Sequence, residues 1–172
     1  MEENSYCRYS RDYTRSICSV LPREANVPLP DVLRGEGCSG KSDLPAETVV
    51  SVDTLMALRW KGSSDRPASV DFAFGCGRGS VQLVECRYNY CNVTHLCKRE
   101  LDSKVAASHG LLRDSLQPHL DYNPTATTVL LFSDGVKERA LNRVRRLYPR
   151  TPKKKESPFG VMTTKEFLAA FF

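Results

Sequence analysis

The residues best suited to chemistry in this chain are an aspartate and a glutamate on neighbouring predicted strands. Asp71 lies in the apolar stretch 70–74 and Glu85 in the apolar stretch 81–88, with a glycine-rich segment between them. Val, Phe and Tyr favour strands and glycines favour tight turns, so the two stretches predict a β-hairpin. A turn centred near Gly77 places Asp71 beside Glu85. We therefore expect two carboxylates to converge on one small patch.

The chemistry that such a patch suggests is the binding of a divalent cation. Side chains alternate between the two faces of a strand, so Glu85 and Arg87 point to one face and Cys86 to the other. Carboxylates that lie close together repel each other unless a cation lies between them, and their hard oxygens suit Mg²⁺ or Mn²⁺. Asp71 and Glu85 are therefore the candidate metal ligands.

This pattern resembles the PD-(D/E)xK nuclease superfamily, which has the restriction-endonuclease-like fold. In that superfamily an Asp on one strand and a Glu-x-Lys on the next build a metal site for phosphodiester cleavage. The resemblance covers about residues 70–148, less than half of the chain. It implies that Asp71, Glu85 and the backbone carbonyl of Cys86 hold Mg²⁺ or Mn²⁺, and that the substrate is nucleic acid, DNA rather than RNA.

One position departs from the superfamily motif, because Arg87 stands where the motif has lysine. Arginine is a permanent cation and cannot transfer a proton, whereas a lysine can be tuned to do so. Three alternatives follow. Arg87 could stabilise the developing charge or hold a phosphate. Lys104, on the following helix, could have taken over the role of the lysine. Finally, the site could bind nucleic acid without cutting it. The candidate catalytic residues are Asp71, Glu85, Arg87 and Lys104.

The elements around the hairpin predict an α/β fold, a single domain with a mixed central sheet flanked by helices, of restriction-endonuclease-like type. Thr94 is the predicted N-cap of a helix from 95 to about 116, whose apolar residues recur at helical spacing. The stretch 127–133 is almost continuously apolar, which is typical of a central strand covered on both faces. A helix over 136–148 follows. Strand–strand–helix–strand–helix is the order that the superfamily uses.

The chain divides into three predicted regions. Residues 1–45 form a loop-rich N-terminal arm with a short helix at 10–20, because prolines and glycines follow that helix. Residues 46–150 form the nuclease-like core, in which the segment 48–60 is β-rich. Residues 151–172 form a basic loop and a C-terminal helix that opens with a capping box and packs on the core.

Basic residues concentrate towards the end of the chain, which carries a net charge of +5. An arginine-rich helix and the lysine run after it form the densest positive charge in the sequence. Such a patch suits a nucleic-acid backbone because each neutralised phosphate releases counterions. A lysine run is also typical of an ordinary solvated loop. The candidate nucleic-acid-binding residues are Arg143, Arg145, Arg146, Lys153, Lys154 and Lys155.

Composition limits the remaining functions. The chain has 172 residues, enough for one domain with a sizeable core, and no apolar run of the length of a membrane span. Residues 1–5 are acidic and polar and do not form a secretory signal, so we expect a cytoplasmic protein with no membrane partner. Seven cysteines, an odd number without a Cys-x-x-Cys pair, argue against both a full disulfide framework and a zinc finger.

Three functions stay open at this point. The first is an active metal-dependent nuclease. The second is a catalytically inactive member of the same fold that binds nucleic acid or serves as an assembly subunit, which the arginine at 87 favours. The third is an unrelated α/β interaction protein that binds a protein partner or a second copy of itself. The superfamily also has an acidic residue on a helix ahead of its first strand, for which Glu36 and Glu47 are unranked candidates.

Overall fold

The computed structural model describes residues 8–39, 43–152 and 156–172. These residues form six α-helices and a seven-stranded β-sheet. The helices are α1 (Arg8–Val20), α2 (Leu29–Gly35), α3 (Val52–Arg59), α4 (Lys98–Leu116), α5 (Lys137–Leu147) and α6 (Thr164–Phe171). The strands are β1 (Asn26–Pro28), β2 (Thr48–Ser51), β3 (Phe72–Cys76), β4 (Ser80–Cys86), β5 (Asn123–Pro124), β6 (Thr128–Leu131) and β7 (Phe159–Met162).

The sheet is mixed and open, with the spatial order β1-β2-β3-β4-β6-β7. The strands β1 to β4 pair as antiparallel neighbours, whereas β6 is parallel to β4 and β7 is parallel to β6. The short β5 pairs with the first two residues of β4. Parallel neighbours need long crossovers, and α4 and α5 provide them. The prediction of an α/β fold with a mixed sheet flanked by helices is confirmed.

The predicted hairpin is formed by β3 and β4. Its register pairs Phe72 with Val84 and Cys76 with Ser80. Gly77 and Gly79 in the turn have φ values of 62° and 147°, which a glycine adopts without steric strain. Because the two strands are antiparallel, the residue before β3 meets the end of β4, as the sequence predicted for Asp71 and Glu85.

Helices cover both faces of the sheet and create two apolar layers. α2 and α6 pack on one face, where Phe167 of α6 contacts Phe72 and Phe74 of β3. α1, α3, α4 and α5 cover the other face. All four residues of β6 are buried, which confirms the prediction of a central strand. The sheet is thus buried over its middle and leaves its strand ends open for a site.

The prediction that the whole segment 48–60 is β-rich was wrong in its second half. Only Thr48–Ser51 is a strand, and the helix α3 begins directly after it. The Ser51 hydroxyl accepts a hydrogen bond from the backbone N–H of Thr54 at 3.2 Å and so caps the helix. The residues that follow include Leu, Met, Ala and Arg, which are strong helix formers.

The start of the helix after β4 also differs from its prediction. The helix α4 begins at Lys98, and Thr94 lies before it in a short 3-10 turn, Val93–His95. The side chain of Asn92 accepts the backbone N–H of Thr94, so Thr94 is itself capped and is not the N-cap of α4. The end of the helix at Leu116 agrees with the sequence.

Regular structure reaches further into both ends of the chain than the sequence predicted. The strand β1 and the helix α2 follow α1, where prolines had predicted loops. Near the other end, β7 extends the sheet beside β6 and was not predicted. The capping box of Thr163 and Glu166 does open α6, as the sequence indicated.

Candidate functional site

The predicted acidic residues meet at the edge of the sheet where β3 begins and β4 and β6 end. Asp71 lies directly before β3, and Glu85 is the second-to-last residue of β4. Cys86, which follows Glu85, pairs with Leu131 at the end of β6. α4 approaches this edge from one face, and the end of α2 approaches it as well. Side chains from β4, α4, the end of α2 and the residue before β3 therefore meet at this edge.

Glu85 lies at the centre of the site and is only 2% exposed. Its Oε1 accepts a hydrogen bond from Nζ of Lys104 at 2.7 Å and forms an ion pair with Nη2 of Arg87 at 2.9 Å. Its Oε2 is buried and has no hydrogen-bond partner among the described residues. One oxygen of this carboxylate is therefore saturated, and the other is a buried acceptor that no described residue uses.

Arg87 is held from several sides. Its Nη2 also donates to Oε1 of Glu100 at 2.6 Å, its Nη1 donates to the hydroxyl of Tyr90 at 2.9 Å, and its guanidinium lies 4.7 Å from the centre of the Tyr90 ring. Within the described part of the chain only its Nε lacks a partner, and that atom is buried. A guanidinium held in this way orients Glu85 and has little left for a phosphate.

Asp71 lies against the backbone of the neighbouring strand. Its Oδ2 accepts a hydrogen bond from the backbone N–H of Cys86 at 2.5 Å. Burial and the nearby carboxylate of Glu85 raise the pKa of Asp71 to about 7. Burial also raises the pKa of Glu85, against the opposing effect of Arg87 and Lys104. Both carboxylates thus gain from an additional cation at this edge.

A third acidic residue, Glu36, approaches the pair from the end of α2. The helix ends in a Schellman motif, in which the N–H of Cys38 donates to the carbonyl of Leu33 at 2.9 Å and that of Gly37 to the carbonyl of Arg34 at 3.1 Å. Gly37 has a φ of 101°, a left-handed conformation that favours glycine. This turn fixes the backbone at Glu36, whose side chain is exposed.

Electrostatics identify Glu36 as the better of the two acidic candidates. Burial and the carboxylates of Asp71 and Asp53 raise the pKa of Glu36. Glu47 instead forms an ion pair with Arg11 on α1 at 2.7 Å. The sequence did not rank the two residues, because their distance from Asp71 depends on how α2 packs on the sheet. From the sequence, the prolines and glycines around α2 predicted only loops in this region.

The types of donor atom at this edge suit a hard divalent cation. Asp71 and Glu85 supply carboxylate oxygens, and the partnerless Oε2 of Glu85 is the kind of atom that a metal would satisfy. In residues 8–39, 43–152 and 156–172 no group of three or more His, Cys, Asp or Glu side chains forms a ready metal site. Mg²⁺ needs only one or two carboxylates when waters and a phosphate complete its shell. The backbone carbonyl of Cys86 stays a predicted ligand.

The predicted nucleic-acid-binding residues have different environments. Arg145 and Arg146 are exposed in the last turn of α5. Arg143 instead donates from Nη2 to the carbonyl of Leu96 at 3.1 Å and so ties α5 to the segment before α4. Lys153, Lys154 and Lys155 lie outside the described residues. Since α5 starts at the site edge and rises about 1.5 Å per residue, its exposed arginines lie about 12 Å along the helix from that edge.

Comparisons with protein families, curated proteins and solved structures found no match to this chain. Among the described residues, no helix is both long enough and apolar enough to cross a membrane. The functional inference therefore rests on the geometry and charge of the site itself.

Proposed function

We propose that this chain is a metal-dependent nuclease with a PD-(D/E)xK-like site that hydrolyses phosphodiester bonds in DNA. The observation that carries the proposal is the contact of Lys104 with Glu85, at 2.7 Å, beside the partnerless Oε2 of the same carboxylate. In this proposal Lys104, on the following helix, takes the role that Arg87 cannot fill in the motif. Asp71, Glu85 and Lys104 together supply the three side-chain types that the superfamily uses.

In this proposal Asp71 and Glu85 hold Mg²⁺ or Mn²⁺, with the carbonyl of Cys86 as a further ligand and Glu36 close by. When bound, the metal lowers the pKa of a coordinated water and neutralises charge on the scissile phosphate. Lys104 carries three N–H donors on a flexible stem, so it can turn from Glu85 towards a phosphate oxygen or an attacking water. It would then stabilise the charge that develops on the phosphate.

Arg87 has a positioning role in the same proposal. Both of its terminal nitrogens already contact Glu85, Glu100 or Tyr90. Holding a phosphate through two hydrogen bonds would require these contacts to break. Arg87 therefore orients Glu85 and balances its charge, while the more mobile Lys104 contacts the substrate. Of the three alternatives for the arginine, this arrangement favours transfer of the lysine role to α4.

A second candidate function has one observation in its favour. Arg87 and Lys104 both pair with the same oxygen of Glu85, so the charge of that carboxylate is balanced without a metal. An inactive member of the fold, serving as a nucleic-acid-binding or assembly subunit, would need no more than this. The partnerless oxygen of Glu85 and the raised pKa of Asp71, which a bound cation would lower, favour the active enzyme.

Cleavage of labelled single- and double-stranded DNA with Mg²⁺ or Mn²⁺ separates the two functions. The nuclease should cleave with either metal, and EDTA or the substitution Glu85→Gln should abolish cleavage. Glu138→Gln is the matched control, because Glu138 is exposed on α5 and outside the site. DNA binding at low salt without cleavage in any wild-type sample would instead identify the inactive form.

A further inference from the structure

A cavity of about 300 Å³ opens at the edge of the sheet where β4 and β6 end and α6 starts, the same edge that holds the carboxylates. Its walls include the turn after α2, the residue Tyr88 after β4, and the connection from β6 to α5. Tyr88 directly follows Arg87, and Gly37 directly follows Glu36. Tyr88 and Cys38 pack with α2 and α6, whereas Glu85 and Arg87 contact α4 on the other face. The cavity therefore shares the sheet edge with the candidate site and opens on the opposite face.

Contacts between its walls fix the shape of this cavity. The hydroxyls of Tyr88 and Thr164 lie 2.8 Å apart and share a hydrogen bond, and the Cys38 thiol lies 3.8 Å from the same Thr164 oxygen. The turn after α2 also lies close to Asn89, since a Cβ added at Gly37 would stand 2.8 Å from the Asn89 side chain. Walls that are already fixed reduce the ordering that a ligand must impose when it binds.

The side chains around the cavity match the parts of a nucleotide. The half-buried ring of Tyr88 offers an aromatic surface, on which nucleobases stack. Asp134 is exposed at the rim, and its carboxylate can accept a hydrogen bond from the amino group of a base. Lys165 is exposed at the same rim and supplies a point charge for a phosphate.

We infer that this cavity binds the base of one unpaired nucleotide of a DNA strand that crosses this edge of the sheet. The inference rests on the proposed nuclease function and names its substrate class as single-stranded DNA or an unpaired segment of DNA. A base inside a duplex cannot reach such a cavity unless it is flipped out of the stack, which breaks its pairing and stacking. The cavity would therefore favour single strands over duplexes at the same site.

Filling the cavity tests this inference without any need for cleavage. Ser133 is exposed and lines the cavity, and its carbonyl accepts the N–H of Val136, a backbone contact that Ser133→Leu retains. The leucine fills part of the cavity and offers no aromatic surface for a base. Binding of a short single strand and of the matching duplex is measured by fluorescence anisotropy in EDTA. Ser133→Leu should weaken single-strand binding about tenfold, since one stacked base contributes about 1–3 kcal/mol, and change duplex binding less than about twofold.

The matched control is Ser64→Leu, which places the same side chain in an exposed turn outside the cavity. It should bind both DNAs as wild type does, and urea unfolding should show both variants folded. An unchanged or lower Kd of Ser133→Leu for the single strand, or an equal loss for both DNAs, would overturn the inference. Failure of the nuclease proposal gives a different result from failure of this inference. Wild type would then not cleave DNA, while the variant would still lose more affinity for the single strand than for the duplex.

Discussion

Glu85 shows how a single residue can be both stabilised and available for a ligand. Its Oε1 contacts two cations, while its buried Oε2 has no partner in the described part of the chain. Leaving a buried acceptor unsatisfied costs about 1–3 kcal/mol, and such groups in folded proteins call for an explanation. The proposed metal ion would supply one, because it would use this oxygen only when it binds with the substrate.

Asp71 should make the stability of the metal-free protein depend on pH. Its pKa in the folded protein is about 7, against an ordinary value of 3.8, so Asp71 loses its proton at a lower pH in the unfolded chain than in the folded protein. Ionisation therefore favours unfolding, and stability present at low pH is lost as pH rises through the folded pKa. In EDTA, the free energy of unfolding of wild type relative to Asp71→Asn should fall by on the order of 2 kcal/mol between about pH 4.5 and 7.5.

Urea unfolding of both proteins across this pH range measures the difference. Saturating Mg²⁺ or Mn²⁺ should flatten the dependence, because a bound cation favours the ionised carboxylates. A difference between wild type and Asp71→Asn that stays constant with pH would show that Asp71 ionises as freely in the folded protein as in the unfolded chain.

Arg87 should matter more for stability than Lys104 does. The Arg87 side chain is 9% exposed and the Lys104 side chain 19%, and Arg87 also holds Glu100. Removing one partner of a buried ion pair leaves an uncompensated charge, so Arg87→Ala should lower the free energy of unfolding by about 3 kcal/mol. Lys104→Ala should lower it by less than about half of that, since Glu85 keeps its contact with Arg87.

Urea unfolding at neutral pH compares the two variants directly. Equal stability of Arg87→Ala and wild type, together with lost cleavage, would contradict the positioning role and assign Arg87 to the chemical step.

At the scale of elements, local signals explain which parts could be predicted from the sequence. The hairpin of β3 and β4 has its glycines in the turn itself, and β6 is apolar throughout because both of its faces are covered. The strands β1 and β7 have no comparable signal. Each is three or four residues long, lies near prolines and exists through pairing with a strand distant in sequence. Such pairing depends on the whole fold.

The packing of α1 on the sheet is an element contact that the sequence did not indicate. The backbone N–H of Gly75 in β3 donates to the Thr14 hydroxyl at 2.8 Å, and that of Gly77 donates to the Ser10 hydroxyl at 2.9 Å. The first of these contacts brings helix and strand very close, since a Cβ added at Gly75 would stand 2.7 Å from the backbone nitrogen of Thr14. The helix α1 of the N-terminal arm therefore packs directly on the face of the sheet.

Gly75→Ala should accordingly destabilise the protein by about 2 kcal/mol, because the added methyl group must push α1 away from β3. Gly110→Ala is the control. Gly110 lies within α4, where a Cβ would meet open space in the described part of the chain, so the alanine should stabilise the helix by about 0.5–1 kcal/mol. Urea unfolding of both variants measures the contrast, and equal effects would contradict the close contact of α1 with β3.

At the scale of the whole molecule, the site exists because the chain returns several times to one edge of the sheet. Asp71 and Glu85 could be predicted because the hairpin that joins them is local. Lys104 could be proposed because it lies on the next helix. Glu36 could not be ranked, and the cavity beside Tyr88 could not be foreseen, since both depend on the placement of α2 and α6 over strands far away in sequence.

The measurement that tests the central claim most directly is the rate of DNA cleavage by wild type, Lys104→Ala and Lys98→Ala with Mn²⁺. Lys98 lies on the same helix and forms an exposed ion pair with Asp102, so it is the matched control. Lys104→Ala should reduce the rate about 100-fold or more, whereas Lys98→Ala should stay within about twofold of wild type. Unchanged cleavage by Lys104→Ala, or no cleavage by wild type that still binds DNA, would contradict the account.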